Sequence, residues 1–267
     1  MKGIYHIHSQ FSDDGKNTIE EISKWGRSQK LKFIIFTEHD WSLDPVKFDS
    51  YVSMCKLYSR DIVLIPGVEY SFRTRQKEVH ISVLNLLKFL GNNLSMLDAS
   101  SFLCEVKEMK GISILNHPSD IFSDLSPELI RLVDFIEIWN LKYDPSYAPL
   151  LLARPGIFHS VFTKRNIISA DLHQIPSQAY PIVEILDRSI QLCQEDILLG
   201  LLGKNYLCRY KGWSFTSAGK ITSFPFVKKL ALLSLAAVHY FAYNFARSIG
   251  RRYRIQFSSR LVQILKY

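Results

Sequence analysis

The residues of this chain that could do chemistry are its histidines. Of eight in all, His6, His8, His39, His80, His117 and His173 fall at or beside the ends of short apolar runs, each with an acid, an asparagine or a second histidine nearby. The runs read Gly3-Ile4-Tyr5-His6-Ile7-His8, Phe33-Ile34-Ile35-Phe36-Thr37-Glu38-His39-Asp40, Val79-His80-Ile81, Ile112-Ser113-Ile114-Leu115-Asn116-His117-Pro118 and Ile167-Ile168-Ser169-Ala170-Asp171-Leu172-His173. A further run, Leu64-Ile65-Pro66-Gly67-Val68-Glu69, ends in a carboxylate instead. Buried strands that deliver imidazoles and carboxylates at their C-terminal ends are how a parallel barrel assembles an active site. A pocket of nitrogen and oxygen ligands suits divalent transition metals. Side chains at i and i+2 of a strand share a face, so His6 and His8 can reach one ion together, as can Asp171 and His173. One such pair is weak evidence; its repetition across separate runs is what points to a metal enzyme.

Seven runs read as strands, at 3–8, 33–37, 62–68, 79–84, 112–116, 134–139 and 166–170. Thr18 with Glu21 forms a capping-box pattern that opens a helix. Phe102–Lys107 reads as helical, with Gly111 as its stop. Ser126-Pro127 pairs an N-cap residue with proline in the first helical turn. Buried strands alternating with helices predict a parallel α/β sheet or barrel.

The ordered set H-x-H-S…S-D, T-E-H-D, G-V-E, V-H, N-H-P, I-E-x-W-N and D-x-H resembles the PHP (polymerase and histidinol phosphatase) superfamily over roughly residues 1–212. The resemblance implies a distorted (β/α)7 barrel that holds two or three divalent metals (Mn, Fe or Zn) at the strand ends. It implies His6, His8, Glu69 and Asp171 on one metal, with Glu69 bridging to a second held by His80 and His117. Asp13, His39 and His173 would hold a third, with Asp14 a rival for the role of Asp13. Glu69, Asp171 and His173 are the implied catalytic residues. The implied activity is hydrolysis of phosphoesters by a hydroxide shared between metals, with a phosphate monoester or nucleotide as substrate. Glu38, where the family often has aspartate, is expected to orient a ligand, and Glu137 is expected to play a similar supporting part. No serine lies in a G-x-S-x-G context, and the cysteines show no nucleophile setting, so the metal route is favoured over a protein nucleophile.

Phosphate recognition usually recruits arginine or lysine, and Arg73, Arg75, Arg154 and Arg165 are the candidates. Cys55, Cys104, Cys193 and Cys208 are scattered, with no C-x-x-C pair, which points to a reducing compartment and away from a zinc ribbon. The first ligand run starts at the N-terminus, leaving no room there for a signal peptide, and the expected location is cytoplasmic.

The net charge of +8 is unevenly spread. Residues 213–267 hold nine Lys+Arg and no Asp or Glu, which leaves 24 Lys+Arg against 25 Asp+Glu in residues 1–212. This predicts a PHP-like domain over 1–212 and a basic, apolar C-terminal extension over 213–267. Within the extension, residues 230–246 are uncharged. Three readings stay open for them: a helix buried against the barrel or a partner, a membrane-surface anchor on anionic lipid, or a membrane span. A protein partner or nucleic acid could also dock on the basic residues. Two other functions stay open: a non-catalytic metal-binding scaffold with a docking tail, and a nuclease acting on nucleic-acid ends.

Overall fold

The computed structural model describes residues 1–73, 78–92, 94–118, 122, 125–144, 149, 164–223, 234 and 238. The fold is mixed α/β, built around two sheets. The first runs in the order β14 (Ile221–Ser223), β13 (Trp213–Thr216), β12 (Tyr206–Tyr210), β11 (Ile182–Ile185), β1 (Lys2–Ile7), β2 (Phe33–Phe36), β4 (Val63–Ile65). The second runs β10 (Arg165–Ser169), β9 (Phe135–Asn140), β8 (Ile112–Leu115), β6 (Glu78–Leu84), β5 (Gly67–Arg73), β3 (Glu38–His39), with β7 (Leu94–Ser95) beside β5. The strands β1, β2, β4, β8 and β9 are buried on both faces, which is why they read as mainly apolar runs.

The sheets meet along two joints. At Thr37 the chain leaves the first sheet for the second, and the Thr37 N–H donates to the Ile7 carbonyl at 3.0 Å. Beyond β10, Leu172 forms a parallel bridge with Ile7: the His8 N–H donates to the Leu172 carbonyl at 2.8 Å and the Leu172 N–H to the His6 carbonyl at 3.0 Å. These joints lie beside His6, His8, His39, Asp171 and His173, so the backbone bonds that link the sheets also locate the ligands.

The helices follow their capping signals. Thr18 and Glu21 close a reciprocal capping box at α1 (Ile19–Ser28). Asp44 caps α2 (Pro45–Tyr58), and Ser126 caps α4 (Pro127–Leu132) with proline in the first turn. The helix α3 (Ala99–Glu108) ends earlier than Gly111, because Lys110 takes the left-handed conformation, φ 59°. The last helix described is α5 (Gln194–Leu202).

Two expectations change. The sheets are not all parallel: β6 runs antiparallel to both β5 and β8. Only residues 74–77 separate β5 from β6, too few for the crossover of a dozen or so residues that a parallel pair requires. The run 62–68 splits into β4 and β5 at Pro66, which has no N–H to give a ladder. The sequence reading also lacked strands β11 to β14.

The first sheet does not stop at Gly212. That residue sits at φ 84° in the turn of the hairpin between β12 and β13, and the strands pair from Leu207–Thr216 to Tyr210–Trp213. Trp213 and Phe215 are buried and meet Trp139 edge-on, with centroids 5.8 and 5.9 Å away. Residues 213–223 therefore share the core of what precedes them. Of the uncharged segment 230–246, all but the exposed Ser234 and Val238 lies outside the described residues. Among the described residues no helix is long and apolar enough to cross a membrane.

Removing the ring of Phe215 should leave a cavity in this core, so Phe215→Ala is expected to lower stability by about 3–5 kcal/mol. A chain ending at Gly212 should be less stable than one ending after Ser223. Equal urea midpoints for the two truncated chains would show that β13 adds nothing to the fold.

Candidate metal centre

The centre is organised around one carboxylate. Glu69 lies in β5 with only 1% of its side chain exposed. Its Oε2 faces His6 Nε2 at 3.4 Å, His8 Nε2 at 3.6 Å and His39 Nδ1 at 3.3 Å. Its Oε1 faces His80 Nδ1 and His117 Nε2, both at 3.3 Å. Asp171 Oδ1 closes the first group, 3.2 Å from His8 Nε2 and 3.6 Å from His6 Nε2. A third group forms where Asp14 reaches His39 Nε2 at 3.3 Å and His173 Nε2 at 3.0 Å.

These spacings are informative. A good N–H···O bond spans about 2.9 Å. Ligand atoms around a tetrahedral ion at 2.0–2.2 Å stand about 3.4 Å apart. Most of the imidazole–carboxylate pairs match the second distance. Several of the atoms are also left without a hydrogen-bond partner although buried: His6 Nε2, His8 Nε2, Asp14 Oδ1, His39 Nδ1, His80 Nδ1 and Asp171 Oδ1. Buried polar atoms are normally paired, so a converging set of orphans fits cations held between them. Four triads have ligand atoms mutually within 4.8 Å: His6, His8, Asp171; Glu69, His80, His117; His8, His39, His173; and Asp13, Asp14, His39.

Surrounding groups orient the ligands. His6 Nδ1 lies 3.0 Å from Glu137 Oε1, which anchors a proton on Nδ1 and turns Nε2 into the centre. The other oxygen of Glu137 accepts from the His117 N–H at 2.6 Å and Asn140 Nδ2 at 2.9 Å. Ser12 Oγ donates to Glu38 Oε2 at 2.6 Å. Its own lone pairs then accept from His8 Nδ1 at 3.2 Å and the His39 N–H at 3.0 Å. Glu38 thus fixes the His8 tautomer through a hydroxyl. Tyr5 donates to Asn116 Oδ1 at 2.6 Å, and Asn116 Nδ2 donates to Glu69 Oε1 at 2.7 Å.

Local backbone geometry serves the same end. His6, His117 and Asp171 all have positive φ, at 70°, 27° and 52°. Side chains with a Cβ adopt this region rarely, and such residues cluster at functional sites. At His6 it accompanies a break in the pairing of β1 with β2. Gly15 lets the loop bearing Asp13 and Asp14 lie flat on the site: a Cβ there would stand 1.8 Å from the Ser9 carbonyl oxygen.

Electrostatics favour charged carboxylates. Burial opposes ionising Glu69, yet His6, His80, His117 and His39 hold its carboxyl well below the usual range. Asp171 is likewise buried and held low by His6 and His8. Burial disfavours a charged His6, but Asp171, Glu69 and Glu137 outweigh it and raise its pKa well above the ordinary value. Burial instead carries His8 down to about 3, leaving it a neutral ligand. Glu38 is raised, chiefly by burial.

Eight of the sequence candidates meet here: His6, His8, His39, Glu69, His80, His117, Asp171 and His173. Asp13 lies at the margin, its Oδ1 accepting from Trp41 Nε1 and Ser42 Oγ, both at 3.2 Å. Asp14 is the carboxylate that touches His39 and His173. Among the arginines, Arg73 is exposed and paired with Glu78 at 3.1 Å. Arg165 does not reach the centre. It opens β10, whereas Asp171 and His173 follow that strand's end, about 20 Å further along. Its Nε donates to the Leu202 carbonyl at 2.8 Å and its guanidinium lies over the Phe135 ring. Arg75 and Arg154 lie outside the described residues. The sequence reading missed Lys142, whose Nζ is 3.1 Å from His173 Nε2 and 3.7 Å from Asp171 Oδ1. It also missed Trp41 and Tyr143, which stack on His39 and His117 at 4.0 and 4.1 Å. Only their position just after ligand motifs could have flagged them.

The PHP domain family model matches residues 5–133. Just under half of the chain is therefore similar to the PHP domain. No curated protein sequence matches it. Among solved structures it resembles a two-domain protein from Bacteroides vulgatus containing a predicted PHP-like metal-dependent phosphoesterase, with a TM-score of 0.56 and 20% identity. The alignment covers 80% of this chain and 66% of that one, so this chain spans slightly less than two thirds of that protein's length. A protein of Bifidobacterium adolescentis proposed to be a metal-dependent phosphoesterase aligns at 12% identity and a TM-score of 0.45, covering 64% of this chain and 87% of that one. An amidohydrolase of Chromobacterium violaceum, solved with sulfate and no metal, aligns over the same shares at 12% identity and 0.41. Those two scores are too low to bear on the fold.

Within this PHP-like region, Ser12→Ala should free His8 to turn and weaken metal binding about 10–100-fold, the usual cost of losing a group that orients a ligand. Asp14→Ala should lower the bound metal more than Asp13→Ala does. Competition against a chromogenic chelator would measure both effects. Unchanged affinity in Ser12→Ala would mean that the Glu38–Ser12 relay does not hold His8.

Proposed function

We propose that this protein is a metal-dependent hydrolase of phosphoester bonds acting on a phosphate monoester or nucleotide. The observation that carries the reading is Glu69, whose two oxygens each face a separate set of histidines. Such a carboxylate is suited to bridge two ions. The match of residues 5–133 to the PHP family model supports the same chemistry. The donor set of imidazoles and carboxylates suits Mn, Fe or Zn, two or three per chain. Ions bound there would lower the pKa of a water and neutralise charge on a phosphoryl group. The protein's own part is positional: Glu137 and the Glu38–Ser12 relay hold His6 and His8 with their Nε2 lone pairs inward, and the buried walls limit competing water. A free nucleophile is not needed. The buried Cys55 and Cys208 have their pKa values raised by burial, which makes poor thiolates.

We read the two sheets as parts of a distorted (β/α)7 barrel, a reading supported by the joints at Thr37 and at Ile7–Leu172. We place the functional boundary after Ser223, with the basic remainder docking on an anionic membrane surface or a protein partner of a cytoplasmic enzyme. The support is that residues 224–267 hold eight Lys and Arg and no Asp or Glu.

Metal-reconstituted protein should hold at least two divalent ions by elemental analysis and should turn over members of a phosphoester panel. His8→Ala and Asp171→Ala should abolish turnover. Activity that survives in metal-stripped protein would overturn the reading. A chain ended after Ser223 should keep its metal and turnover but lose sedimentation with anionic vesicles, and the full chain's binding should weaken as salt rises. Equal sedimentation of the two chains would remove the docking role from the tail.

A further inference from the structure

We propose that Lys142 is the phosphoryl-binding residue of this centre, an assignment that rests on the phosphoester reading above. Among the described residues it is the only lysine or arginine whose charged nitrogen comes within 4 Å of a carboxylate of the metal cluster, at 3.7 Å from Asp171 Oδ1. It stands 3.1 Å from His173 Nε2 and is 40% exposed, so its ammonium lies at the mouth rather than in the core.

Its backbone is held by Asn140, which also bonds to the centre's supporting groups. Asn140 ends β9 with its N–H donating to Asp144 Oδ2 at 3.1 Å. The Asn140 carbonyl accepts from the Tyr143 N–H at 3.2 Å and the Asp144 N–H at 2.7 Å. The Asn140 side chain binds on both sides. Its Oδ1 accepts from the Lys142 N–H at 2.9 Å, and its Nδ2 donates to Glu137, the carboxylate that orients His6. Leu141 donates to the Ser169 carbonyl at 3.0 Å, two residues before Asp171. The same groups that aim the metal ligands therefore aim Lys142.

Charge explains what the side chain is for. With cations among Asp171 and His173, the acid that attracts this ammonium is already neutralised. A lysine kept beside such cations gains only when an anion arrives, and a phosphoryl group bound at the centre would accept a hydrogen bond from the ammonium while its charge is offset by the ions. Lysine suits this better than arginine, because a compact charge on a flexible stem can follow an oxygen that moves as the ester bond breaks. Of the arginines named from the sequence, the two among the described residues do not compete: Arg73 is paired with Glu78 and Arg165 lies at the far end of β10.

The test uses the full-length, metal-loaded chain and two readouts. Calorimetry with inorganic phosphate should show Kd rising at least about tenfold in Lys142→Ala, in line with the loss of a charge-assisted hydrogen bond. Lys142→Arg should recover part of that affinity. Metal content should stay at the wild-type level in both variants, which a merely structural role at His173 would not allow. On any ester the wild type hydrolyses, Lys142→Ala should lower kcat/KM by a similar factor. Wild-type phosphate affinity in Lys142→Ala, or an equal loss of metal and phosphate, would overturn the assignment. If the wild type hydrolysed no phosphoester yet bound phosphate through Lys142, the hydrolase reading would fail and the anion site would stand.

Discussion

A carboxylate buried among five histidines is the constraint on which the rest of this structure depends. Taking an ion out of water costs several kcal/mol unless it is paired and hydrogen-bonded. Glu69 accepts a short bond from Asn116 and a longer one, 3.3 Å, from His117, and its other imidazole neighbours stand 3.3–3.6 Å away. Five imidazoles cannot all be protonated around it, since they would repel one another; burial, helped by the neighbouring His39, keeps His8 neutral. Divalent ions would resolve the conflict. They would supply positive charge without a proton and use the lone pairs that the surrounding hydrogen bonds turn inward.

That demand accounts for the fold's irregular places. Thr37 passes the chain between sheets so that Glu38 turns to Ser9 and Ser12 while His39 turns to Glu69. The antiparallel course of β6 has the same sense. His80 is only the third residue of its strand, yet it sits beside Glu69, because the start of an antiparallel strand lies at the end where its parallel neighbours finish. Positive φ at His6, His117 and Asp171 costs of order 1–3 kcal/mol each. Continuous burial of β1, β8 and β9 offsets that strain, a division between rigid support and strained site expected of functional centres.

Much of the site was legible in the sequence because ligands at strand ends leave a local signature. An apolar run followed by His, Asp or Glu is visible without knowing what the run packs against. The fold was legible where capping or burial acts locally, as at Thr18–Glu21, Ser126–Pro127 and the run of β2. It was not legible where a pairing decides. The strands β11 and β12 alternate buried and more exposed residues, a weaker pattern than a continuous run, β13 and β14 are short, and the net charge drew attention to Gly212 instead of to the buried Trp213 and Phe215. Arg165 misled because sequence proximity to Asp171 says nothing of which end of a strand a residue occupies. Asp13 and Asp14 could not be ranked, since one residue of loop geometry decides between them. Lys142 left no signal: its role comes from Asn140 and Glu137, which place it across a turn.

The protonation states show how ion and fold exchange roles. A depressed carboxylate pKa contributes stability above the unfolded value of about 4 and loses it as pH falls through the folded value, so Glu69 and Asp171 favour the folded chain at neutral pH. A raised histidine pKa does the reverse, contributing below about 6.5 and fading as pH rises through the folded value, so without ions His6 serves as the counter-charge by keeping a proton. When an ion takes that place, the proton must leave His6 Nε2, because a ligand nitrogen cannot carry both. Metal binding and proton release are then one equilibrium. Acid competes for this centre through His6 before it neutralises the carboxylates, while Glu137 on Nδ1 holds the ring in the same orientation in both states.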